Sequence, residues 1–193
     1  IPNGVDLELF TPREAPRPAD GEIKVFFAGN LTRRKGAHWL PEIAQRLPGH
    51  INIYYTQGLR TRSALPEHPR LRPLGRIPYQ QMPERYRQMD ILLIPTVREG
   101  LCLAVLEAMA SGLPVVATDA SSLPEQIVED RGGHLCPIGD SEAFANRVQL
   151  LADDPQARLD MGIFNRRRAE ERFGLASMLE AYRRVFQRAV GKA

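Results

Sequence analysis

Residues 90–118 read DILLIPTVREGLCLAVLEAMASGLPVVAT. The apolar runs at 90–95 and 114–118 have the length of buried strands, and the apolar stretch at 101–110 between them has the length of a helix. The pair Ser111-Gly112 ends that helix. A strand, a helix and a second strand in this order predict a βαβ unit, in which the two strands are parallel and the helix covers one face of the sheet.

The same alternation extends through most of the chain. Four further segments have the composition of strands: residues 23–28, 51–56, 71–74 and 133–136. Residues 39–47 and 82–89 have the pattern of helices, whereas the polar residues 58–70 predict an exposed loop. Residues 141–190 contain three helical stretches and no strand. We therefore predict an α/β fold, a Rossmann-like three-layer α/β/α domain with a mostly parallel sheet of about six strands and C-terminal helices.

Composition limits the classes of protein to which the chain can belong. Its 193 residues are 43% hydrophobic and 25% charged, which is typical of a soluble globular domain. No apolar run approaches the ~18–20 residues of a membrane span. The net charge of +3 accommodates an anionic ligand without indicating nucleic acid. Cys102 and Cys136 form no C-x-x-C pair and have no histidine at metal-ligand spacing, so we expect free thiols in a reducing, cytoplasmic compartment.

The beginning of the chain has the character of a connecting segment. The first residue is Ile1 and not Met, and residues 1–6 read IPNGVD. We therefore expect the chain to be a fragment of a longer protein whose upstream part is missing.

The segments that follow the strands are the candidate sites, because ligands bind at the carboxyl ends of the strands in an open parallel sheet. The first of them, residues 29–36, reads GNLTRRKG. Its leading glycine lets backbone approach a ligand closely, and Arg33, Arg34 and Lys35 can bind phosphate oxygens. The same residues also fit a surface turn with solvated cations, so the loop by itself leaves both interpretations open.

Two acids flank the predicted start of the helix at 101–110. Glu99 ends the loop, Gly100 opens the helix, and Glu107 lies about two turns further on. The helix N-terminus between the acids offers backbone N–H groups to a diphosphate, and each carboxylate can accept hydrogen bonds from ribose or sugar hydroxyls. The alternative is that Glu99 caps the helix and Glu107 is exposed. Against it, an acid within an otherwise apolar helix needs a partner.

Several segments together resemble one enzyme family. Glu99-x7-Glu107, followed by AMAxGxPVVA at 108–117, resembles the E-x7-E region of family 4 (group 1) glycosyltransferases. Residues 1–6 resemble the interdomain linker of that family and residues 29–36 its first donor loop. Residues 75–77 resemble its base-binding loop, and residues 173–182 its closing helix. The segments occur in the family's order and cover nearly the whole chain.

The resemblance implies a GT-B architecture, which consists of two Rossmann-like domains with a cleft between them. Residues 1–193 would be the C-terminal nucleotide-sugar-binding domain, and the N-terminal acceptor domain would be absent. Within the domain, residues 1–20 would be linker-like and residues 141–193 a helical tail.

Carried over residue by residue, the resemblance implies a donor site. Glu99 would bind hydroxyls of the transferred sugar and Lys35 would neutralise the diphosphate, and these two would be the catalytic residues. Gly100 and Leu101 would offer backbone N–H groups to the diphosphate or the sugar, and Glu107 would hold the ribose hydroxyls. The implied donor-binding set is Gly29, Asn30, Arg33, Arg34, Lys35, Arg76, Ile77, Glu99, Gly100, Leu101, Cys102 and Glu107.

One part of this implied set contacts the base, and two positions depart from the family. Arg76 and Ile77 would contact the base, partly through the backbone. Many relatives have Arg where this chain has Asn30, so one of the two arginines in the same loop would replace the absent cation. Many relatives also have a small residue where Cys102 stands, and a thiol there has no evident role.

The implied function is to bind a UDP- or GDP-sugar as the donor half of a retaining glycosyltransferase. The enzyme would transfer a hexose to a glycan, a lipid or a small molecule. No D-x-D pair is present, so we expect no metal and no cofactor. The missing N-terminal domain would be the main partner, and the chain by itself would be an incomplete enzyme. We expect the whole enzyme in the cytoplasm or in peripheral contact with the inner face of the membrane.

Other classes of protein share parts of this pattern. A nucleotide-sugar epimerase or a glycan phosphorylase can have the GT-B fold, although no lysine site for a pyridoxal cofactor can be placed here. A Rossmann-like module that binds a nucleotide sugar without catalysis would keep the same acids. A dinucleotide oxidoreductase is disfavoured because no G-x-G-x-x-G follows the first strand.

Overall fold

The computed structural model describes residues 1–15, 21–58, 61 and 65–191 of the chain. Parts of the predicted loop at 58–70, of the linker-like segment at 1–20 and of the helical tail at 141–193 therefore lie outside the described residues. The described residues form one sheet with helices on both of its faces, as the alternation of segments predicts.

Six strands build the sheet in the order β3-β2-β1-β4-β5-β6. They are β1 (Ile23–Phe27), β2 (Ile51–Tyr55), β3 (Leu71–Pro73), β4 (Ile91–Ile94), β5 (Val115–Thr118) and β6 (Gly133–Cys136). All neighbouring strands of the described sheet are parallel, so the predicted Rossmann-like α/β fold is confirmed. The strand order reverses between β1 and β4, and at such a switch point the loops that follow the two strands leave a crevice for a ligand.

Seven α-helices are found in the described part of the chain. They are α1 (Leu40–Arg46), α2 (Met82–Arg87), α3 (Leu103–Ala110), α4 (Leu123–Gln126), α5 (Ser141–Asp153), α6 (Pro155–Arg172) and α7 (Leu175–Val190). The last three are the C-terminal helices that the sequence predicts. Helix α3 begins at Leu103, later than predicted, because Cys102 has an extended backbone (φ −80°, ψ 102°) and is the N-cap. Gly100 therefore lies in the loop before the helix and does not open it.

The two faces of the sheet carry separate hydrophobic clusters. Because successive side chains of a strand point to opposite faces, Val25 and Phe27 of β1 pack on one side with α1 and α5. Phe26 of the same strand packs on the other side with α2 and α3. Helix α6 packs against α3. This is the predicted three-layer α/β/α arrangement.

The beginning of the chain is packed into the domain. Val5 forms an isolated parallel bridge with Gly174, and the side chain of Phe10 is fully buried. The guanidinium group of Arg166 on α6 donates a hydrogen bond of 2.7 Å to the carbonyl oxygen of Phe10. The segment that resembles an interdomain linker therefore contributes to the core on the α3 side of the sheet.

Helix α7 leaves its apolar side chains exposed. None of its residues is buried, and its exposed large apolar side chains are Leu179, Tyr182, Val185, Phe186 and Val190. Their spacing of three or four residues places them in one stripe. A stripe of this kind is typical of a surface that another protein element covers. Among the described residues, no helix has both the length and the apolar character required to cross a membrane.

Candidate functional site

The loops that follow β1 and β4 meet at the switch point of the sheet. The N–H group of Val97 and the hydroxyl group of Thr96 both donate to the carbonyl oxygen of Arg34, at 2.9 and 2.8 Å. Gly36 approaches Pro95 so closely that a Cβ atom at Gly36 would lie 1.7 Å from the Pro95 carbonyl oxygen. Two segments that are 60 residues apart in the sequence therefore form one wall, in which the basic loop lies beside the loop of Glu99.

Glu99 lies at the centre of this wall and has three partners. Its Oε1 atom is 2.7 Å from Nζ of Lys35 and 3.1 Å from the hydroxyl oxygen of Thr96. Its Oε2 atom is 3.7 Å from a guanidinium nitrogen of Arg34. The Glu99 side chain is only 7% exposed. The structure thus brings together Glu99, Lys35 and Arg34 of the predicted set, and Thr96, which follows β4 after Pro95, is an addition.

The remaining residues of the basic loop point in different directions. The aliphatic chain of Lys35 passes over Gly29, with its Cδ atom 3.9 Å from where a Cβ atom at Gly29 would stand. The side-chain oxygen of Asn30 lies against Gly58, beyond the end of β2. Arg33 is exposed, and its charge adds to burial in lowering the pKa of His38. No described contact places Arg33 beside Glu99, so the two arginines of the loop have different surroundings.

A cleft of about 480 Å³ lies next to this wall, at the carboxyl ends of β1 and β2. It is lined by Gly29, Asn30, Thr56, Gln57, Gly58, Arg76, Ile77, Pro78 and Met82. Four residues of the predicted donor set therefore meet in one cavity. The additional residue Thr56 joins the two strand ends, because its hydroxyl group accepts a bond of 2.8 Å from the Gly29 N–H group and donates one of 3.1 Å to the Gly29 carbonyl oxygen.

The start of helix α3 is held by a residue that the sequence pattern does not single out. Gln126 is fully buried, its side-chain oxygen accepts a bond of 3.0 Å from the Cys102 N–H group, and its amide donates one of 3.1 Å to the Cys102 carbonyl oxygen. Cys102 is 2% exposed, and burial raises the pKa of its thiol. The structure gives Cys102 a role in starting the helix. Gly100, which is exposed, and Leu101 precede that helix.

Glu107 is half-buried on α3 and has the partner that its apolar surroundings require. The hydroxyl group of Tyr86 on α2 donates a hydrogen bond of 2.8 Å to its Oε2 atom. Burial raises the pKa of Glu107 to about 7, and the hydrogen bond from Tyr86 acts in the opposite direction. The expectation that this acid needs a partner is confirmed, but nothing in the sequence pattern identifies Tyr86.

A second cleft, of about 420 Å³, lies at the amino ends of β4 and β5 beside α6. Its polar groups are largely engaged within the protein. Arg158 donates to the carbonyl oxygens of Leu151 and Ala152, and Arg13 forms an ion pair of 3.1 Å with Asp90. Parallel α/β sheets bind ligands at the opposite edge, so we assign the functional site to the wall around Glu99 and the adjoining cleft.

Sequence comparison relates the chain to one family of known proteins. The profile of the family described as "Glycosyl transferases group 1" matches residues 22–154. The chain is 30% identical to a D-inositol 3-phosphate glycosyltransferase of Corynebacterium efficiens, in an alignment that covers 82% of this chain and 43% of the relative. The chain spans about half the length of the curated relatives it matches.

Solved structures show the same fold. Sucrose-phosphate synthase from Thermosynechococcus elongatus superposes with a TM-score of 0.88 at 23% identity, over 100% of this chain and 53% of the synthase chain. Anabaena HepE in complex with UDP-glucose superposes with a TM-score of 0.85 at 20% identity, over 97% of this chain and 56% of HepE. From the family profile and the sequence identity to the Corynebacterium enzyme, we conclude that the chain belongs to the group 1 glycosyltransferases.

Proposed function

We propose that the chain is the donor-binding half of a retaining, metal-independent glycosyltransferase that moves a hexose from a nucleotide diphosphate to a glycan, lipid or small-molecule acceptor. The observation that carries the proposal is the pairing of Glu99 with Lys35 in the crevice between β1 and β4, beside the N-terminus of α3. The Glu99 carboxylate can accept hydrogen bonds from hydroxyl groups, and the Lys35 ammonium group can bind phosphate oxygens. A nucleotide sugar presents hydroxyl groups and phosphate oxygens side by side, where its diphosphate is joined to the sugar.

The donor would lie across the crevice with its base in the cleft of about 480 Å³. Arg76 and Ile77 would contact the base, and Glu107 would accept hydrogen bonds from the ribose. Lys35 would bind the diphosphate and Glu99 the hexose. The structural neighbour HepE was solved with UDP-glucose, which is the reason for choosing a UDP-sugar over a GDP-sugar as the donor.

Transfer requires that the negative charge developing on the leaving diphosphate be stabilised. Because Lys35 is paired with Glu99, donor binding would exchange this ion pair for a contact between Lys35 and the diphosphate. Hydroxyl groups of the sugar would then donate hydrogen bonds to the Glu99 carboxylate in place of Lys35. The partial positive charge at the N-terminus of α3 would add to the stabilisation. Attack by the acceptor on the face from which the diphosphate leaves would retain the anomeric configuration.

The acceptor would be bound by a further domain, N-terminal to this chain in the whole enzyme. Two observations support this. The chain spans only about half the length of its relatives, and helix α7 has an uncovered apolar stripe. The N–H group of Gly4 donates a bond of 3.1 Å to the sulfur atom of Met178 on α7, so residues 1–6 contact α7. We propose that the N-terminal half covers α7, and that the whole enzyme acts in the cytoplasm or at the inner face of the membrane.

The roles of the two acids can be separated with two ligands. We expect Glu107→Ala to weaken the binding of both UDP and UDP-glucose, since both contain the ribose, and Glu99→Ala to weaken UDP-glucose alone. Losing a hydrogen bond to a charged acceptor costs about 1.5–3 kcal/mol, or roughly ten- to a hundredfold in affinity. Isothermal titration calorimetry at constant pH and salt measures both ligands.

Glu142→Ala is the matched control, because Glu142 is an exposed acid on α5, and we expect it to bind both ligands like the parent. Equal losses of UDP and UDP-glucose affinity in Glu99→Ala would contradict the sugar-binding role of Glu99. If the parent chain binds neither ligand, and no GDP-sugar either, the proposed function is wrong.

The two arginines of the basic loop are a matched pair. Because Arg34 lies beside Glu99, whereas the charge of Arg33 acts on His38, we propose that Arg34 replaces the cation that Asn30 does not supply. Arg34 is 54% exposed, so we expect Arg34→Ala to weaken UDP by only about three- to tenfold at low salt, and to reduce the salt dependence of binding. Arg33→Ala should bind like the parent. If both variants bind UDP like the parent, Lys35 and the helix N-terminus act without a second cation.

A further inference from the structure

Tyr86 is a completely buried phenol that the proposed binding roles leave unused. Its hydroxyl group contacts Glu107 at 2.8 Å. We infer that Tyr86 is a positioning residue of the donor site: it holds one carboxylate oxygen of Glu107 and thereby directs the other oxygen toward the ribose. The inference rests on the proposed function, because it requires that Glu107 bind a nucleotide.

The hydroxyl group of Tyr86 has two acceptors at different distances. The Oε2 atom of Glu107 is at 2.8 Å and the carbonyl oxygen of Ala104 is at 3.3 Å. A phenol has one proton to donate, and the shorter contact is to the carboxylate. Because Ala104 and Glu107 are both on α3, the two contacts fix the Tyr86 hydroxyl against one helix, and the Oε2 atom of Glu107 is held by the phenol.

The ring of Tyr86 is held by aromatic neighbours from two other elements. Phe26 of β1 meets it edge-on, with ring centroids 5.1 Å apart and planes at 82°. Phe10 from the beginning of the chain meets it at 5.8 Å and 71°. Edge-to-face packing on both sides leaves the ring little freedom to move. The hydroxyl group of Tyr86 is therefore a fixed donor, and its hydrogen bond fixes the orientation of the Glu107 carboxylate.

The ionisation of Glu107 depends on the same contact. The titratable groups that face it are two phenols, Tyr86 on α2 and Tyr79 in the turn before α2. The thiol of Cys102 acts on Tyr86, and the carboxylate of Asp6 acts on Tyr79. Burial raises the pKa of both phenols and of the thiol, so these three groups carry no charge at neutral pH. Burial also raises the pKa of Glu107 to about 7, and the hydrogen bond from Tyr86 lowers it. Without that bond Glu107 would hold its proton to higher pH.

A protonated Glu107 is a poorer acceptor for ribose hydroxyl groups, since bonds to a charged acceptor are about twice as strong as neutral ones. We therefore expect the affinity of the parent for UDP-glucose to rise as the pH increases through about 7. UDP-glucose is the suitable probe because its diphosphate is a diester that does not titrate between pH 6 and pH 9, whereas the terminal phosphate of UDP does.

The test is Tyr86→Phe, which removes the hydroxyl group and keeps both ring contacts. We expect its affinity for UDP-glucose at pH 7 to be about five- to tenfold lower than that of the parent, and the midpoint of its pH profile to lie about half a pH unit or more higher. In the background of Glu107→Gln, where no carboxylate titrates, adding Tyr86→Phe should leave the pH profile unchanged. Tyr182→Phe, a half-exposed tyrosine on α7, is the matched control.

The outcomes separate the positioning role from a merely structural one. If Tyr86 had only a structural role, Tyr86→Phe would lower the thermal stability of the chain and leave the midpoint of the pH profile of UDP-glucose binding unchanged. If the parent binds UDP-glucose and Tyr86→Phe has the same pH midpoint, this inference is wrong while the proposed function stands. A parent midpoint near 7 that persists in Glu107→Gln would also overturn the inference, since Glu107 would not be the titrating group. If the parent binds no nucleotide sugar, the proposed function and this inference fail together.

Discussion

Gly36→Ala is expected to lower the affinity for UDP-glucose by at least about a hundredfold, because Gly36 is where the loop of Lys35 touches the loop of Glu99. Its φ of +72° is left-handed, and a Cβ atom would lie 1.7 Å from the carbonyl oxygen of Pro95 and 2.9 Å from the ring of Trp39. The left-handed conformation alone costs an L-residue roughly 1–2 kcal/mol. The contact with Pro95 cannot be relieved by turning a side chain, so the two loops must separate.

Separation of the loops would move Lys35 away from Glu99 and from the diphosphate. Two interactions with charged groups would be lost, each worth about 1.5–3 kcal/mol. Calorimetry with UDP-glucose measures the loss, and circular dichroism shows whether the variant remains folded. Gly49→Ala is the matched control, since no atom lies within 4 Å of the Cβ position there. If Gly36→Ala binds UDP-glucose like the parent, the junction of the two loops is not part of the donor site.

Phe10→Ala is expected to reduce the free energy of unfolding of the chain by about 3–5 kcal/mol. Phe10 is completely buried, and its ring packs edge-on against Tyr79 and Tyr86, with centroids 5.8 Å away in both cases. Removing the ring leaves a cavity beside Tyr86 that the neighbouring residues can only partly fill. A loss of this size is a large fraction of the 5–15 kcal/mol that stabilises a typical domain.

Urea denaturation followed by far-UV circular dichroism measures this change. Phe186→Ala on α7 is the matched control, because it removes the same ring from a position that is 65% exposed, and we expect a change within about 0.5 kcal/mol. A loss below about 1 kcal/mol in Phe10→Ala would mean that the beginning of the chain is a dispensable linker. Because Phe10 also supports Tyr86, the variant should bind UDP-glucose more weakly at temperatures where it is still folded.

The order of strands and helices could be predicted because the relevant signals are local. The apolar run of β4, the apolar stretch of α3 and the pair Ser111-Gly112 lie within one short segment, and the structure confirms the βαβ unit that they predict. The start of α3 was placed too early because it depends on a distant contact. Gln126, which is 24 residues beyond Cys102 in the sequence, holds both polar groups of the Cys102 backbone.

For the candidate site, the sequence predicts only which types of residue lie in the loops that follow the strands. The chemistry and spacing of Glu99 and Glu107 indicate a binding site, whereas only the resemblance to the family singles out Lys35. The structure places Lys35 against Glu99. Arg33 and Arg34 are adjacent identical residues, so no sequence pattern could distinguish them. The turn of the loop decides that Arg34 faces Glu99.

The α/β class, the parallel sheet and the types of residue at the strand ends can be predicted from local signals, because hydrophobic periodicity and turn residues act over a few neighbours. Which of these strand ends meet depends on the folded chain. Pairing of β1 with β4 brings the basic loop to Glu99, and packing of α2 on α3 brings the hydroxyl group of Tyr86 to Glu107. These contacts join residues 21 to 64 positions apart, and their geometry depends on the packing of the whole sheet and its helices.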